Sequence, residues 1–465
     1  MGHCLISAAH KSSGKTTVTM GICALLRQQG KRVQPFKKGP DYIDPMWLSA
    51  SSGQACYNLD FNTMDLEEIE TLFSQRSMNS DLAIIEGNKG LYDGLNLDGS
   101  NSNAALAKLL KTPVILVIDA RGMTRGIAPI ILGFQNFDTD IKIAGVILNQ
   151  LGGSRHESKL RAVIEHYTDV PVIGAVHFSE KLRIVERHLG LIPSNEIQRA
   201  AQTIQQISTL IEAQIDLEKF LAIVSQAPNL SFKSKEMPSQ KLPATLRIGV
   251  ARDSAFGFYY PDDLEQMSAL GVELVFVDLL HQKQLPLLDG LFIGGGFPET
   301  HMEQLAANET MKNEVKNAIE SGLPVYAECG GLMYLSRSLQ WGERKVAMAG
   351  VIAGDIVMES KPQGRGYVRF EETEYCPWPK YSDMTQSLAA HEFHYSKIVN
   401  LPVDTRFAYK VLRGYGINGE MDGIVYKNML ACYSHARHTR NNPWVSRFVD
   451  FVKQHREQLL KCITK

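Results

Sequence analysis

The sequence has no long apolar segment and no surplus of charge of either sign. No stretch approaches the roughly 20 consecutive apolar residues that a membrane-spanning helix requires. The 49 lysines and arginines nearly balance the 50 aspartates and glutamates, so the chain lacks the basic surplus typical of proteins that bind nucleic acid or anionic membranes. We therefore expect neither a membrane nor a nucleic acid among its partners.

Clustered cysteines are also missing. The seven cysteines are scattered over positions 4, 23, 56, 329, 376, 432 and 462, and no two have C-x-x-C spacing. This pattern indicates neither a disulfide framework nor a clustered zinc site. No hydrophobic signal core precedes the first motif, which follows "MGHCLISAAHK" directly. These absences predict a cytoplasmic protein with reduced thiols.

Apolar runs of strand length recur along the whole chain. The 465 residues predict two or three domains, because single hydrophobic cores rarely grow beyond roughly 250 to 300 residues. Runs such as "DLAIIEG", "PVILVIDA" and "IAGVILN" alternate with helical patterns, which is typical of a parallel sheet covered on both faces. We predict an α/β fold with two doubly wound parallel-sheet domains: residues 1–195, a helical segment and linker over 196–245, and residues 246–465.

A phosphate-binding turn is predicted close to the N-terminus. The run "LISAAHKSSGKTTVTMGICALL" has the order strand, Gly-Lys-Thr turn and helix that a P-loop requires, although Ala8 and Ala9 stand where the simple motif has its leading glycine. Backbone N–H groups at a helix N-terminus can hold phosphate, a lysine can reach the outer phosphates, and a threonine hydroxyl can hold Mg²⁺. The turn therefore indicates a nucleotide site.

Acidic side chains follow two of the predicted strands. "KKGPDYIDP" places Asp41 and Asp44 in a Gly-Pro loop, and "DLAIIEGNKGLYDG" ends a buried strand in Glu86, with Asp93 further on. Carboxylates at the carboxyl ends of parallel strands surround the ligand crevice of such sheets. Because Mg²⁺ prefers oxygen donors, Glu86 suits a Mg²⁺ ligand. The three aspartates are also typical of turn capping, which remains the alternative.

The segment "PVYAECGGLMYL" sets a cysteine between an apolar strand and a helix-like run. A buried structural cysteine needs no glycines, whereas a nucleophile on a tight strand-to-helix turn does. Cys329 is therefore predicted to be a nucleophilic thiol, with an N–H of Gly330 and of Gly295 or Gly296 in "IGGGFPE" as oxyanion donors. A small core cysteine is the alternative.

Several motifs together resemble a known family. "KSSGKTTVTMG", "QPFKKGPDYIDP", "NLD" at 58 to 60 and "EGNKGLYDG", followed by "GGGFPE", "AECGGLMYL" and "HEFHYS", resemble the cobyrinic acid a,c-diamide synthase family over nearly the whole chain. The resemblance implies an ATP-dependent amidoligase domain related to dethiobiotin synthetase, joined to a class I glutamine amidotransferase domain. It also implies that a carboxylate of a modified tetrapyrrole is activated as an acyl phosphate and attacked by ammonia from glutamine. ATP, Mg²⁺ and glutamine are then required.

The resemblance also implies which residues form the first site. Asn149, which closes "IAGVILN", matches the position at which this fold usually contacts adenine. The other matching positions are divided between ATP (Ser13, Gly14, Lys15, Thr16, Thr17), Mg²⁺ (Thr16, Glu86, Asp41) and the substrate (Lys38, Tyr42, Asp44, Asp93). Lys37 and Lys38 would offset the charge of a carboxylate or phosphate, but both are also typical of ordinary solvated lysines.

A histidine near the C-terminus is the predicted base of the second site. His435 in "LACYSHARHTRNNP" matches the Tyr-X-His position of the family, and His438 is the weaker candidate. Many class I amidotransferases have an orienting glutamate two residues after this histidine, whereas this sequence has Arg437, so the third member of the site is left open. His391 and His394 in "HEFHYS" would point to opposite faces of a strand, which favours a structural or substrate-proximal role over zinc binding.

The sequence leaves the substrate and the assembly open. It departs from the family pattern at Met46-Trp47-Leu48 and at Asn88-Lys89, beside loops expected to face the substrate. Related subgroups amidate sirohaem or its precursor, or nickel-sirohydrochlorin, so these tetrapyrroles are alternatives to cobyrinate. A P-loop switch ATPase and a degenerate scaffold are alternatives of other classes. The number and order of amidations are open, as is a homodimer.

Overall fold

The structure is a computed structural model that describes residues 1–180, 186–187, 190–194, 200–228, 243–381 and 387–463. The chain divides into two compact units, Met1–Lys235 and Glu236–Lys465. Each unit has a hydrophobic core of its own. Among the described residues, every helix is too short or too polar to cross a membrane.

A seven-stranded parallel sheet forms the centre of the first unit. Its strands lie in the order β3-β2-β4-β1-β5-β6-β7, and every neighbouring pair is parallel. Most strand residues are buried, as expected for a sheet with both faces covered. The strands are β1 Gly2–Ala8, β2 Val33–Lys38, β3 Tyr57–Leu59, β4 Leu82–Glu86, β5 Val114–Asp119, β6 Ile143–Leu151 and β7 Val172–His177, and a small separate hairpin consists of β8 Glu186–Arg187 and β9 Gly190–Leu191.

The helices of the first unit pack on this sheet or on one another. Gly21 in the first helix faces Ile207 and Ile211 in the seventh, so close packing joins the helical segment after residue 200 to the P-loop helix. That segment therefore lies within the first unit. The helices are α1 Lys15–Gln28, α2 Ile43–Ser52, α3 Leu66–Ser77, α4 Asn103–Leu109, α5 Ile127–Phe137, α6 Ser154–Tyr167, α7 Ala200–Glu212 and α8 Leu217–Ser225.

The loop predicted around "GPDYIDP" is shorter than expected. Asp41 lies in the loop, but α2 begins at Ile43, and Asp44 occupies its first turn. An acidic residue is favourable there because the first turn of a helix carries a partial positive charge. Helix α2 also buries two of the residues that depart from the family pattern, because Trp47 and Leu48 are core residues and the Trp47 indole donates to the Ile192 carbonyl at 2.9 Å.

The second unit is built on a nine-stranded mixed sheet in the order β12-β10-β13-β15-β24-β23-β22-β19-β20. The first five strands are parallel, and the remaining pairs are antiparallel. The predicted α/β fold with two sheet-centred domains is thus confirmed, and the second sheet is mixed, because its parallel half continues into an antiparallel half. Lys427, at φ 49°, stands in the tight turn at which "DGIVYKNMLACYSH" reverses direction, and from there the pairing becomes antiparallel.

Further elements complete the second unit, including a four-stranded sheet in the order β17-β16-β18-β21. The strands are β10 Leu246–Ala251, β11 Phe256–Phe258, β12 Val272–Val277, β13 Gly290–Ile293, β14 Gly295–Gly296, β15 Val325–Glu328, β16 Ser336–Trp341, β17 Arg344–Ala347, β18 Ile352–Met358, β19 Gly364–Glu372, β20 Leu388–His394, β21 Ser396–Val399, β22 Arg406–Arg413, β23 Met421–Tyr426 and β24 Met429–Cys432. The helices are α9 Pro261–Ala269, α10 Met302–Ala307, α11 Glu309–Glu320, α12 Gly330–Leu335 and α13 Trp444–Ile463.

Candidate active sites

The turn between β1 and α1 has the conformation of a phosphate-binding loop. Gly14 adopts φ 84°, a value that glycine tolerates without a Cβ penalty, and α1 begins at Lys15. The Asn149 amide, at the end of β6, donates to the Ser13 carbonyl at 2.8 Å. A Cβ on Gly14 would lie 2.1 Å from that amide nitrogen. Asn149 therefore holds the loop, and adenine contact by this residue stays a prediction.

The Lys15 and Thr16 side chains of the loop donate to oxygen acceptors. The Lys15 ammonium donates to the Lys89 carbonyl at 2.7 Å. The Thr16 hydroxyl donates to Glu86 Oε1 at 2.6 Å and lies 3.3 Å from Asp44 Oδ2. Thr17 follows on α1 and is half-buried. The structure thus brings Lys15, Thr16, Glu86 and Asp44 to one edge of the sheet, as their positions after parallel strands predict.

Lys37 is the residue of this site to which the sequence assigned no definite role. Its side chain is only 2% exposed, and its ammonium lies 2.5 Å from Asp44 Oδ2, 2.9 Å from Glu86 Oε1 and 3.9 Å from Asp41 Oδ2. A buried charge is costly unless it is paired. Lys37 therefore balances the three carboxylates and is part of the site, whereas Lys38 was the lysine assigned to it. The sequence carried no signal that separates Lys37 from Lys38, because it is the register of β2 against β4 that places Lys37 beside Glu86.

The pKa values in this cluster reflect burial opposed by ion pairing. Burial alone would lower the pKa of Lys37, but the neighbouring carboxylates outweigh it and raise that pKa well above its usual value. Burial and the charge of Lys37 lower the pKa of Lys15 to about 8. Burial and the charge of Asp44 raise the pKa of Asp41 to about 7, and burial raises that of Glu86. The lysines thus differ in how firmly they hold their protons.

The predicted substrate residues lie around this cluster. Asp41 Oδ1 accepts from the backbone N–H groups of Ile43 and Asp44, so the turn-capping alternative describes it correctly. Tyr42 is buried, and its backbone precedes α2. The Lys38 ammonium donates to the Asn101 carbonyl at 2.6 Å, and the exposed Asp93 accepts from the Gly90 N–H at 2.9 Å.

In the second unit, Cys329 stands on a strained turn. It lies between β15 and α12 at φ 45° and ψ −97°, a conformation that costs a non-glycine residue about 1–3 kcal/mol and is concentrated at functional sites. Its N–H donates to the Cys432 carbonyl at 2.7 Å, which ties the turn to the neighbouring strand β24. The strand-to-helix turn predicted for the nucleophile is therefore confirmed.

The base candidate follows that neighbouring strand. His435 is three residues beyond the end of β24, and its ring nitrogen Nδ1 lies 3.7 Å from Glu328 Oε2. Its ring stacks on that of His391, with centroids 5.0 Å apart and planes inclined by 17°. Arg437 turns away to Asp262, at 2.8 Å, and lies over the ring of Tyr260. The structure thus brings His435 beside the cysteine turn and places Arg437 elsewhere.

The glycine loop packs closely against this turn. A Cβ on Gly295 would lie 2.5 Å from His435 Cε1, and one on Gly331 would lie 2.1 Å from the Ile293 carbonyl oxygen. At Gly330 the nearest atom would be the Gly296 nitrogen, at 3.0 Å. The backbone of the loop therefore reaches both the histidine and the turn, as an oxyanion site requires.

The thiol and the nearby histidines are buried. Burial, followed by the charges of Glu299 and Glu328, raises the pKa of the Cys329 thiol above its usual value. The thiol is therefore protonated until a base accepts its proton. His394 belongs to another cluster, where it stacks on Tyr433 with ring centroids 4.0 Å apart. No group of three or more His, Cys, Asp or Glu side chains arranged to hold a metal ion is found in the part of the chain that the structure describes.

These sites define a class of protein in which a P-loop nucleotide-binding unit is joined to a glutamine amidotransferase unit. Comparison with protein families supports both halves. Residues 6–192 match the CobQ/CobB/MinD/ParA nucleotide binding domain, and residues 247–443 match the CobB/CobQ-like glutamine amidotransferase domain.

Curated relatives match across both units. Cobyrinate a,c-diamide synthase of Magnetococcus marinus is 45% identical over 435 residues, which cover 92% of each chain. The enzymes of the same name from Methanosarcina acetivorans and Picrophilus torridus are 40% and 41% identical, covering 93% and 96% of this chain and 91% and 97% of theirs. The chain belongs to the cobyrinate a,c-diamide synthase family.

Proposed function

We propose that this protein converts the a and c carboxylates of cobyrinate into amides, with ATP as the energy source and glutamine as the nitrogen donor. The relatives named for this reaction align with both units of the chain. The observation that carries the proposal is the occurrence in one chain of the Lys15–Thr16 turn and the strained Cys329 turn beside His435. The two turns supply the two partial reactions that a glutamine-dependent ligase needs.

The glutamine reaction belongs to the second unit. His435 accepts the Cys329 proton as the sulfur bonds to the carboxamide carbon, and the carbonyl electron pair moves onto oxygen. Backbone N–H groups of the turn and of the glycine loop stabilise that oxyanion. The C–N bond then breaks, and the proton on His435 passes to the departing ammonia. Water hydrolyses the thioester to glutamate and restores the thiol.

The ATP reaction belongs to the first unit. A substrate carboxylate oxygen attacks the terminal phosphorus of ATP, and the bond to ADP breaks to give an acyl phosphate. Lys15 and the N–H groups that begin α1 bind phosphate oxygens. Lys37 offsets the negative charge that accumulates around the transferred group. Ammonia then attacks the acyl carbon, phosphate leaves, and the amide nitrogen loses a proton.

The first site fits a magnesium ion. Glu86 Oε2 is buried and has no hydrogen-bond partner within the described residues, and the Thr16 hydroxyl and Asp44 lie beside the same carboxylate. Such hard oxygen donors suit Mg²⁺, which commonly takes only one or two protein carboxylates and completes its shell with phosphates and water. Thr16, Glu86 and Asp44 would hold the ion. When bound, it would neutralise phosphate charge.

Purified protein can be supplied with ATP, glutamine and, in separate reactions, cobyrinate, sirohydrochlorin, nickel-sirohydrochlorin or sirohaem. Each conversion of a carboxylate into an amide lowers the mass by about one dalton, because OH is exchanged for NH₂. We expect two successive losses with cobyrinate and much slower conversion of the others. Amidation of another tetrapyrrole in preference to cobyrinate would contradict the proposed substrate.

Glutamine dependence distinguishes this function from that of a P-loop switch ATPase. A switch is expected to hydrolyse ATP at a rate that glutamine does not change. The ligase should consume ATP in proportion to amide formed, and only when the tetrapyrrole is present. ATP turnover measured with and without glutamine and cobyrinate decides between the two.

Location and assembly complete the proposal. Six cysteines of the described residues are free thiols, which supports a reducing compartment, and we propose that the protein is cytoplasmic.

Whether two copies of the chain associate is decided by light scattering on the purified chain at working concentration. A mass of one chain of 51.8 kDa would exclude the homodimer under those conditions.

A further inference from the structure

The residue immediately before the nucleophile directs a carboxylate oxygen towards the base. Glu328 ends β15, and its Oε2 lies 3.7 Å from His435 Nδ1. Both side chains are buried, with exposed fractions of 3% and 4%. A carboxylate oxygen at this distance can hold an imidazole nitrogen in a fixed orientation, as the third group of a nucleophile–base pair does.

Hydrogen bonds fix the other oxygen of Glu328. Oε1 accepts from the Tyr326 hydroxyl at 2.7 Å and from the Ala436 N–H at 2.8 Å. Ala436 directly follows His435, so this second bond ties the carboxylate to the segment that carries the histidine. With Oε1 held on two sides, Oε2 remains turned to the ring.

The ring of His435 is also in contact on one of its faces. His391 stacks on it, and the backbones of the two residues exchange hydrogen bonds of 2.7 and 3.2 Å. Burial, reinforced by the nearby His435 and Arg437, lowers the pKa of His391 well below its usual value, so its ring is neutral. His391 therefore packs against the His435 ring as a neutral neighbour.

Glu328 differs in chemistry from the other groups that the structure shows around the glutamine site. Cys329 is the reacting group, His391 stacks on the ring, and Tyr260 and Arg437 lie on the far side of His391. Arg437 occupies the position two residues after the base, and a cation there repels an imidazolium. Glu328 supplies a carboxylate oxygen 3.7 Å from the ring nitrogen Nδ1.

We propose that Glu328 is the positioning residue of the glutamine site: it holds Nδ1 of His435, so that Nε2 faces the thiol, and it stabilises the imidazolium that forms. The inference rests on the proposed function of Cys329 and His435. A base oriented by a third group is the general arrangement around activated nucleophiles. The 3.7 Å separation exceeds a hydrogen bond, and catalytic hydrogen bonds commonly tighten when the substrate binds.

The test compares wild type with Glu328→Gln in the full-length protein. Glutamine keeps the shape and one acceptor oxygen but has no charge. We expect kcat of glutamine hydrolysis to fall about 10- to 100-fold with KM little changed, less than the ~10⁴-fold loss when a directly hydrogen-bonded triad carboxylate is replaced. Alkylation of Cys329 by iodoacetamide at pH 7 should slow in parallel, because the thiolate–imidazolium pair is less favoured. A merely structural role would leave the alkylation rate unchanged.

Glu392→Gln is the matched control. Glu392 is an equally buried carboxylate of the same unit, but its oxygens accept from the Tyr415 and Gly416 N–H groups, at 2.7 and 2.8 Å. Its replacement should leave kcat and the alkylation rate as in wild type. Glu328→Asp keeps the charge on a shorter side chain and should recover part of both values. If Glu328→Gln does not fold, Glu328→Asp takes its place and is expected to be intermediate.

Two different results distinguish a wrong role for Glu328 from a wrong glutamine site. If Glu328→Gln, or Glu328→Asp in its place, matches wild type in kcat and alkylation while Cys329→Ala is inactive with glutamine, Glu328 is not the positioning residue and the glutamine site stands. If Cys329→Ala hydrolyses glutamine normally, the proposed function itself is wrong.

Discussion

Residue by residue, burial and pairing decide what each lysine of the first site does. Adjacent residues on a strand point to opposite faces, so only one of the pair at the end of β2 can face the carboxylates. Lys37 faces Asp44 and Glu86, whereas Lys38 reaches the Asn101 carbonyl. From the sequence, both lysines could offset negative charge and Lys38 was assigned to the substrate, because which of the two faces the carboxylates depends on the register of β2 against β4.

Replacing Lys37 should destabilise the protein. Lys37→Met keeps a long side chain but leaves Asp44 and Glu86 without their buried cation, and breaking such a pair costs about 3–5 kcal/mol. Urea denaturation measures the free energy of unfolding. The control Lys38→Met removes a single charged hydrogen bond to a carbonyl oxygen, worth about 1.5–3 kcal/mol, and leaves no carboxylate of the cluster unpaired. Similar losses for both variants would show that the carboxylate cluster does not depend on Lys37.

His438 should make stability sensitive to acid without taking part in catalysis. Burial lowers the pKa of its ring to about 4, and its backbone N–H donates to Asp263 Oδ1. The folded state binds the proton less tightly than the unfolded chain, whose histidine has a pKa near 6.5, so this contribution is present above about pH 6.5 and is lost as the pH falls through 4. The free energy of unfolding should fall between pH 7 and pH 4 in both proteins, and the fall should be about 1–3 kcal/mol smaller in His438→Gln than in wild type.

Urea titrations at several pH values measure this difference. His281 is exposed, so His281→Gln removes no buried ring. This variant is the control and should show the same pH dependence as wild type. Glutamine hydrolysis at neutral pH should survive in His438→Gln but be lost in His435→Gln. The reverse result would make His438 the base, and equal acid sensitivity in all variants would remove His438 as the cause.

At the scale of elements, the turn between β15 and α12 depends on close backbone approach. The sequence predicted this turn because two glycines follow the cysteine. It could not show that Gly331 lies against the end of β13, because strands far apart in the sequence become neighbours only in the folded sheet. For the same reason the antiparallel half of the second sheet was not predicted.

Gly331→Ala should displace this turn. Its Cβ would lie 2.1 Å from the Ile293 carbonyl oxygen, a backbone atom that can move only with β13. We expect glutamine-dependent amidation to fall at least about 100-fold, since small misplacements in an active site carry such costs. The control is Gly133→Ala, at an open position of α5, which should retain activity and gain about 0.5–1 kcal/mol of stability. Normal glutamine hydrolysis in Gly331→Ala would show that the turn tolerates the displacement.

For the whole molecule, the two units are proposed to catalyse different partial reactions. Replacing Cys329 or Lys15 should therefore abolish amidation under different conditions. Cys329→Ala should abolish amidation driven by glutamine while ammonium salts still support it, because only the production of ammonia is lost. Lys15→Ala should lose amidation with either nitrogen source, because the carboxylate is no longer activated. Amide formation measured by mass spectrometry with each nitrogen source gives four rates. Glutamine-driven activity in Cys329→Ala, or ammonia-driven activity in Lys15→Ala, would contradict the assignment.

Local patterns of apolar residues and glycines were enough to predict the α/β class, the phosphate-binding turn and the cysteine turn. The motifs and their order were enough for the family resemblance. Three contacts became visible in the folded chain alone: Lys37 enters the carboxylate cluster, Asn149 holds the phosphate-binding turn, and Glu328 faces His435. These three contacts join residues 49, 136 and 107 positions apart, and strand register fixes such distances where sequence spacing cannot.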